Sequence, residues 1–135
     1  MSSQADEIWN EILTLAQEMG LFEPRLAELS NQLESLKNGN VVSAQWLTTV
    51  EKHLEGEAVV EIGYHLNRIA GIKFNEGKME DAKRVCDASF EFYRIALGVD
   101  HPDTKVIANN LKELVRQMGK ATLPKLKKFK PKGHL

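Results

Sequence analysis

The chain has 135 residues, 42% hydrophobic and 27% charged, a composition unlike that of disordered, collagenous or membrane proteins and enough for one domain with a single core. One cysteine, Cys86, excludes an internal disulfide and a thiolate zinc cluster, so packing must hold the fold. The net charge of −1 conceals a split: through residue 115 nineteen acidic side chains oppose eleven basic ones, net −8, whereas from Arg116 onward there are seven basic and no acidic side chains, net +7. Such asymmetry bears on partners rather than on fold.

Apolar residues recur at helical spacing through most of the chain and nowhere sustain a period of two, which predicts an all-α fold. A first helix is expected over about Gln4–Met19, capped by Ser3, with Ile8, Trp9, Ile12, Leu15 and Met19 on one face and Gly20 as its stop. Pro24 suits the first turn of a second helix, striped by Leu26, Leu29, Leu33 and Leu36 and broken at Lys37-Asn38-Gly39-Asn40. A short third helix, Ser43 to Leu54, carries Trp46, Leu47, Val50 and Leu54, and Gly56 ends it. The fourth, about Glu57–Glu76, buries Val59, Ile62, Leu66, Ile69 and Ile72 before Gly77. The fifth, Met79–Leu97, aligns Ala82, Val85, Cys86, Ser89, Phe92, Tyr93 and Ala96, and the sixth, Pro102–Met118, aligns Val106, Leu111, Leu114, Val115 and Met118. Short connections imply antiparallel neighbours. Residues 121–135, with Pro124, Pro131, Gly133 and five lysines, are expected to form a disordered basic tail.

One spaced pattern occurs three times: Asn, an aliphatic residue two positions on, another at five, and Gly at ten. The copies are Asn10-Ile12-Leu15-Gly20, Asn67-Ile69-Ile72-Gly77 and Asn109-Leu111-Leu114-Gly119, offset by 57 and then 42 residues. Offsets of this size fall near those of stacked helix pairs, and each copy should open a pair. Within the better-spaced half, Leu66-Asn67-Arg68-Ile69-Ala70, Gly77-Lys78-Met79-Glu80-Asp81-Ala82 and Leu97-Gly98-Val99-Asp100-His101-Pro102-Asp103 follow one another before Ala108-Asn109-Asn110-Leu111 reopens the unit. This stretch resembles the tetratricopeptide (TPR) repeats of the kinesin-light-chain type. The resemblance implies a stack of antiparallel helix pairs, with Ala70 and Ala82 at the close approach of a pair, Gly77 in its turn, and the sixth helix closing the stack. Residues 57–120 form the repeat with its closing helix. Residues 1–56 are read either as a degenerate unit followed by an inserted third helix or as an unrelated helical hairpin packed on one repeat.

The chemistry-bearing residues favour structural roles. His101 precedes a helix-starting proline and is expected in the turn, with Asp103 at the positive end of the helix dipole. Glu61 and His65 share a helix face but lack a second pair of ligands, Cys86 falls on an apolar stripe, and Trp9 and Trp46 belong to core faces. No phosphate loop, nucleophile elbow or acid–base pair is present, so no enzyme, metal or cofactor is expected. The repeated asparagines call for a reason, since an amide is a poor helix former. They are read as bonds between helices or, as the resemblance implies, as contacts to the backbone of an extended peptide in a concave groove.

The expectation is a cytoplasmic, non-enzymatic protein–protein interaction module or adaptor, with no membrane-length apolar run. Asn67, Arg68, Asn109 and Asn110 are its candidate peptide-binding residues, Arg68 supplying charge, and a homodimer docked through the closing helix would enlarge the groove. The alternative is a nucleic-acid-associated protein using the basic tail; protein is favoured over nucleic acid as the partner. The six periodic segments predict a far-UV circular dichroism spectrum of roughly two-thirds helix or more with no sheet, and a substantial β signal would overturn the fold class.

Overall fold

The computed structural model describes residues 3–53 and 56–121, and every regular element within them is helical. Six α-helices follow in order: α1 (Gln4–Phe22), α2 (Leu29–Lys37), α3 (Ala44–His53), α4 (Glu57–Asn75), α5 (Met79–Leu97) and α6 (Pro102–Ala121). Leu54, expected on the third helix, and residues 122–135 of the expected tail lie outside the described residues. None of the described helices is long and apolar enough to cross a membrane.

Side-chain caps account for three of the six α-helix starts. The Ser3 hydroxyl accepts a bond from the Asp6 N–H at 3.1 Å, and the Asp6 carboxylate accepts from the Ser3 N–H at 3.4 Å, a reciprocal capping box. The Ser43 hydroxyl accepts from the Trp46 N–H at 3.1 Å at the start of α3. At α6 the cap is His101, whose Nδ1 accepts from the Asp103 N–H at 3.0 Å, while Pro102 takes the first helical position.

The reversal after α1 departs from expectation. Gly20 does not end the helix, which runs two residues further to Phe22 and leaves Leu21 and Phe22 80% and 81% exposed. Gly20 is needed for proximity instead: a Cβ there would stand 3.0 Å from the Ala27 Cα and 3.4 Å from the Leu26 carbonyl oxygen. The returning chain lies directly on α1. Accordingly Pro24 opens only a single 3₁₀ turn, Pro24–Leu26, which drops Leu26 into the core before α2 begins at Leu29.

The α4–α5 hairpin is the most closely packed pair. Its turn passes through Gly77, whose φ of 80° is a left-handed conformation that a side chain would strain. At the crossing, a Cβ on Gly63 would lie 3.0 and 3.1 Å from the Tyr93 ring and 3.4 Å from the Phe92 Cβ. The buried Ser89 hydroxyl donates to the Gly63 carbonyl at 2.6 Å, so this approach also satisfies a group that would otherwise be costly to bury. Ala70 and Ala82 are buried as expected, but the closest contact belongs to Gly63.

Tertiary contacts fix the helix directions. Asp6 and Trp9 near the start of α1 share a hollow with Lys73 near the end of α4 and with Asp81 and Arg84 near the start of α5. Glu18, toward the other end of α1, shares a cleft with Glu61 near the start of α4. Thus α1 runs antiparallel to α4. By contrast, Asn67 of α4 meets Asn110 of α6, and Gly71 and Phe74 lie across from Glu113 and Leu114, so α4 and α6 run parallel. Arg84 ties the first hairpin to α5 by donating Nη1 to the Leu36 carbonyl at the end of α2 and Nη2 to Asp81 Oδ1 at 2.6 Å.

On α6 the expected stripe is rotated. Thr104, Ile107 and Leu114 are buried, Leu111 is half-buried, and Val106 and Val115 are 54% and 49% exposed. The helix packs chiefly on α5, where Thr104 Oγ1 donates to the Tyr93 carbonyl at 3.4 Å, and no later described helix covers its other side. Lys105 and Lys112 are exposed.

The core contact predicts opposite outcomes for two glycines of α4. Gly63→Ala should destabilise by about 1–3 kcal/mol through overpacking against Tyr93. Gly71→Ala, whose Cβ would meet open space, should be neutral or stabilising by roughly 0.5–1 kcal/mol through helix propensity. Urea unfolding monitored by Trp fluorescence checks both, and equal effects would contradict the packing described.

Candidate functional site

Besides the hollow at Lys73, two clefts open beside α4 among the described residues. The first, of about 240 Å³, lies between α4 and α6. Its floor is apolar, from Ala70, Gly71, Phe74 and Leu114, with the Cys86 side of α5 beneath; Asn67, Asn110 and Glu113 border it. Gly71 makes the depth possible, since a side chain at that position would project into open space.

At this cleft the Asn110 Nδ2 donates to Asn67 Oδ1 at 3.2 Å. The pairing is one residue out of the repeat, because Asn67 matches Asn109 by pattern yet meets Asn110 in space. One bond uses only part of what two amides offer: Asn67 retains its NH₂ donors and Asn110 its carbonyl oxygen. A donor and an acceptor therefore sit together above an apolar floor. Glu113 is held in place by Arg116, whose Nε donates to it at 3.0 Å, and by Gln117 Nε2 at 2.8 Å. The bond to Glu113 raises the Arg116 pKa.

The second cleft, about 430 Å³, lies between α1 and α4 and holds Glu11, Glu18, Glu61 and His65 together with Asn10 and Leu15. His65 links the two helices. Its Nδ1 is 3.3 Å from Arg68 Nη1, which can only donate, so the neutral ring carries its proton on Nε2, 3.7 Å from Glu11 Oε2. The Arg68 guanidinium also lies 5.8 Å from the Tyr64 ring centroid, within cation–π range.

Of the four candidate residues, the structure thus brings Asn67 and Asn110 together. Arg68 is engaged on the α1 side of α4, and Asn109 is exposed and lines neither cleft. Asn10, the first copy of the pattern, faces the second cleft with Glu61 and His65 rather than another asparagine. The pattern's glycines differ likewise: Gly77 makes a turn, while Gly20 and Gly119 stay within helices. Sequence reasoning missed Gly71, Phe74, Glu113 and Leu114 as cleft residues, although a glycine inside an otherwise regular helical pattern was a usable signal. Trp9 and Trp46 are buried, and Trp46 Nε1 has no hydrogen-bond partner among the described residues. No group of three His, Cys, Asp or Glu side chains among the described residues could hold a metal ion.

The chain matches no protein-family model, no curated protein and no solved structure.

Cys86 is fully buried, and desolvation, reinforced by Asp87, pushes its thiol up to about 12. At pH 8 the thiol therefore stays protonated, and the thiolate is the reactive form. Ellman's reagent should leave the native protein unmodified at pH 8 and titrate one thiol in denaturant. Because the folded pKa is raised, the associated stability is complete below the unfolded thiol's pKa of ~8.5 and declines as pH rises from there toward 12. Rapid native labelling would contradict this burial.

Proposed function

We propose that this chain is a non-enzymatic adaptor whose α4–α6 cleft binds an extended segment of a partner protein, in the manner of a short TPR-like stack. The observation that carries the reading is the Asn67–Asn110 pair, which presents a donor and an acceptor beside an apolar floor. An extended peptide offers the complement, a backbone carbonyl and N–H next to a side chain. Size agrees with this use. Small-molecule sites generally occupy about 300–1,000 Å³, and a cleft of 240 Å³ suits one or two side chains better than a cofactor.

The TPR resemblance is supported by the α4–α5 hairpin turning at Gly77, the start of α6 at His101-Pro102, and the parallel course of α4 and α6 across a 43-residue contact. It extends to α4, α5 and α6. The antiparallel course of α1 favours the second reading of the N-terminal half, a separate helical hairpin packed on a single repeat.

Selection of displayed random peptides on the folded protein, followed by calorimetric titration, tests the proposal. Asn67→Ala and Asn110→Ala should each weaken a selected peptide by about 1–3 kcal/mol with the melting temperature nearly unchanged. Gly71→Leu should fill the cleft and abolish binding without unfolding the protein. Arg68→Ala and Asn109→Ala, outside the cleft, should have smaller effects. If no peptide is enriched, or if binding is indifferent to Gly71→Leu, the α4–α6 cleft is not the site.

A further inference from the structure

We infer that two copies of the chain associate face to face, each seating the outer side of α6 in the α1–α4 cleft of the other, so that Lys105 and Lys112 meet Glu18 and Glu11 across the interface. The pairing stands on charge and geometry without the peptide-binding reading; where that reading also holds, peptide and second copy compete for one face.

Charge is divided between the two edges of the molecule. Helix α1 contains Asp6, Glu7, Glu11 and Glu18 and no lysine or arginine, and Glu61 lies across the cleft from it. On α6, Lys105 and Lys112 are exposed. Neither lysine forms an ion pair among the described residues, and neither does Glu18 or Glu61. Spacing matches as well. Lys105 and Lys112 are seven residues apart, as are Glu11 and Glu18, so each pair makes a row of about two turns, roughly 10 Å long at ~1.5 Å per residue. One molecule thus carries a basic row and an acidic row of equal length, the kind of complementarity that fixes register between partners.

The order of the helices lets both contacts form at once. His65 meets Glu11 of α1, while Asn67, about 160° round α4 from it, meets Asn110 of α6, so α1 and α6 flank α4 on opposite sides. A two-fold axis parallel to α4 therefore sets α1 of each copy beside α6 of the other and closes the pair. Heights along the helices agree. With Glu11 level with His65 and α1 antiparallel to α4, Glu18 is level with Ala58; with Asn110 level with Asn67 and α6 parallel, Lys105 and Lys112 are level with Ile62 and Ile69. Rotation about such an axis keeps heights, so Lys105 and Glu18, like Lys112 and Glu11, differ by four residues, about 6 Å, which a lysine side chain spans.

Orientation fits the same arrangement. Lys105 and Lys112 lie about 140° and 160° round α6 from Asn110, on the side turned away from α4. In the other copy's cleft that side faces the α1 wall. Near the axis, Tyr64 and Val106 stand at nearly one height, because Tyr64 is three residues before Asn67 and Val106 four before Asn110. They are 52% and 54% exposed, and the pairing gives both an apolar neighbour from the other copy. The closing helix accordingly enters the partner copy's cleft instead of extending the groove.

Sedimentation velocity on the full-length chain between about 5 and about 500 µM should show a 15.2 kDa monomer giving way to a dimer and to nothing larger. Raising salt from about 50 to about 500 mM should weaken the dimer at least ~tenfold, because exposed pairs are screened. Lys105→Glu/Lys112→Glu and Glu11→Lys/Glu18→Lys should each be monomeric with unchanged circular dichroism, all four positions being exposed. An equimolar mixture of the two variants should dimerise, since both contacts return with their charges exchanged. A monomer at every concentration in low salt overturns the inference. So do variants that dimerise as the unaltered chain does, a mixture that stays monomeric, or assemblies that keep growing with concentration, which mark an open head-to-tail chain. The two readings fail separately: failure of peptide selection leaves the dimer standing, and a strictly monomeric chain leaves the α4–α6 cleft open to a peptide.

Discussion

The contact on which the architecture depends is the meeting of Gly63 with Phe92, Tyr93 and Ser89. With no Cβ at Gly63, α5 can approach α4 closely enough for the Ser89 hydroxyl to reach the Gly63 carbonyl at 2.6 Å, and that bond in turn permits a fully buried serine. The same crossing positions Tyr93, whose carbonyl receives the Thr104 hydroxyl and so locates the start of α6. Through this chain of contacts the small residue in α4 sets the place of the helix that forms the far wall of the first cleft. Burial at the crossing also raises the Tyr93 phenol pKa, with Asp103 adding to the effect, which keeps the ring neutral where it packs.

A second constraint sits at the other end of the chain. Gly20 brings the 3₁₀ turn onto α1, and Arg84 then accepts the task of joining α2 to α5, its guanidinium bonded both to the Leu36 carbonyl and to Asp81. The orphan carbonyls at a helix end need donors, and here one comes from a different hairpin. Trp9, Leu29, Leu33 and Leu36 fill the space between, so the N-terminal hairpin belongs to the same core as α4 and α5. Its outer contribution is different in kind: α1 brings Glu11 and Glu18 to a cleft that α4 completes with Glu61 and His65.

These two constraints give the α4 surface its mixed character. The α6 side carries small and apolar residues with the paired amides of Asn67 and Asn110, and the α1 side carries carboxylates. The sign matters for partners. Arg68, the cation expected from sequence to attract a ligand, is occupied by His65 and Tyr64, and the Asp, Glu, Lys and Arg residues that line the clefts are all glutamates. Surface charge of one sign steers encounter and discriminates among ligands more than it adds affinity.

By itself the sequence determined the helices and most of what they bury, because period, capping residues and turn glycines act within a few residues of one another. Ser3, Ser43, Gly77 and His101-Pro102 were each legible as they are found, and so were Cys86, Ser89 and Phe92 on the inner stripe of α5. Tertiary structure alone decided which matched residues meet. Asn10, Asn67 and Asn109 look equivalent along the chain, but α2 and α3 intervene before α4 and reverse its direction relative to α1, while only α5 separates α4 from the parallel α6. Gly20 and Gly77 occupy the same place in the pattern, yet one admits a neighbouring backbone and the other turns the chain. The α6 stripe, too, was set by where α5 and α4 stand. A periodic sequence offers several faces, and which one is buried depends on neighbours that local spacing does not specify.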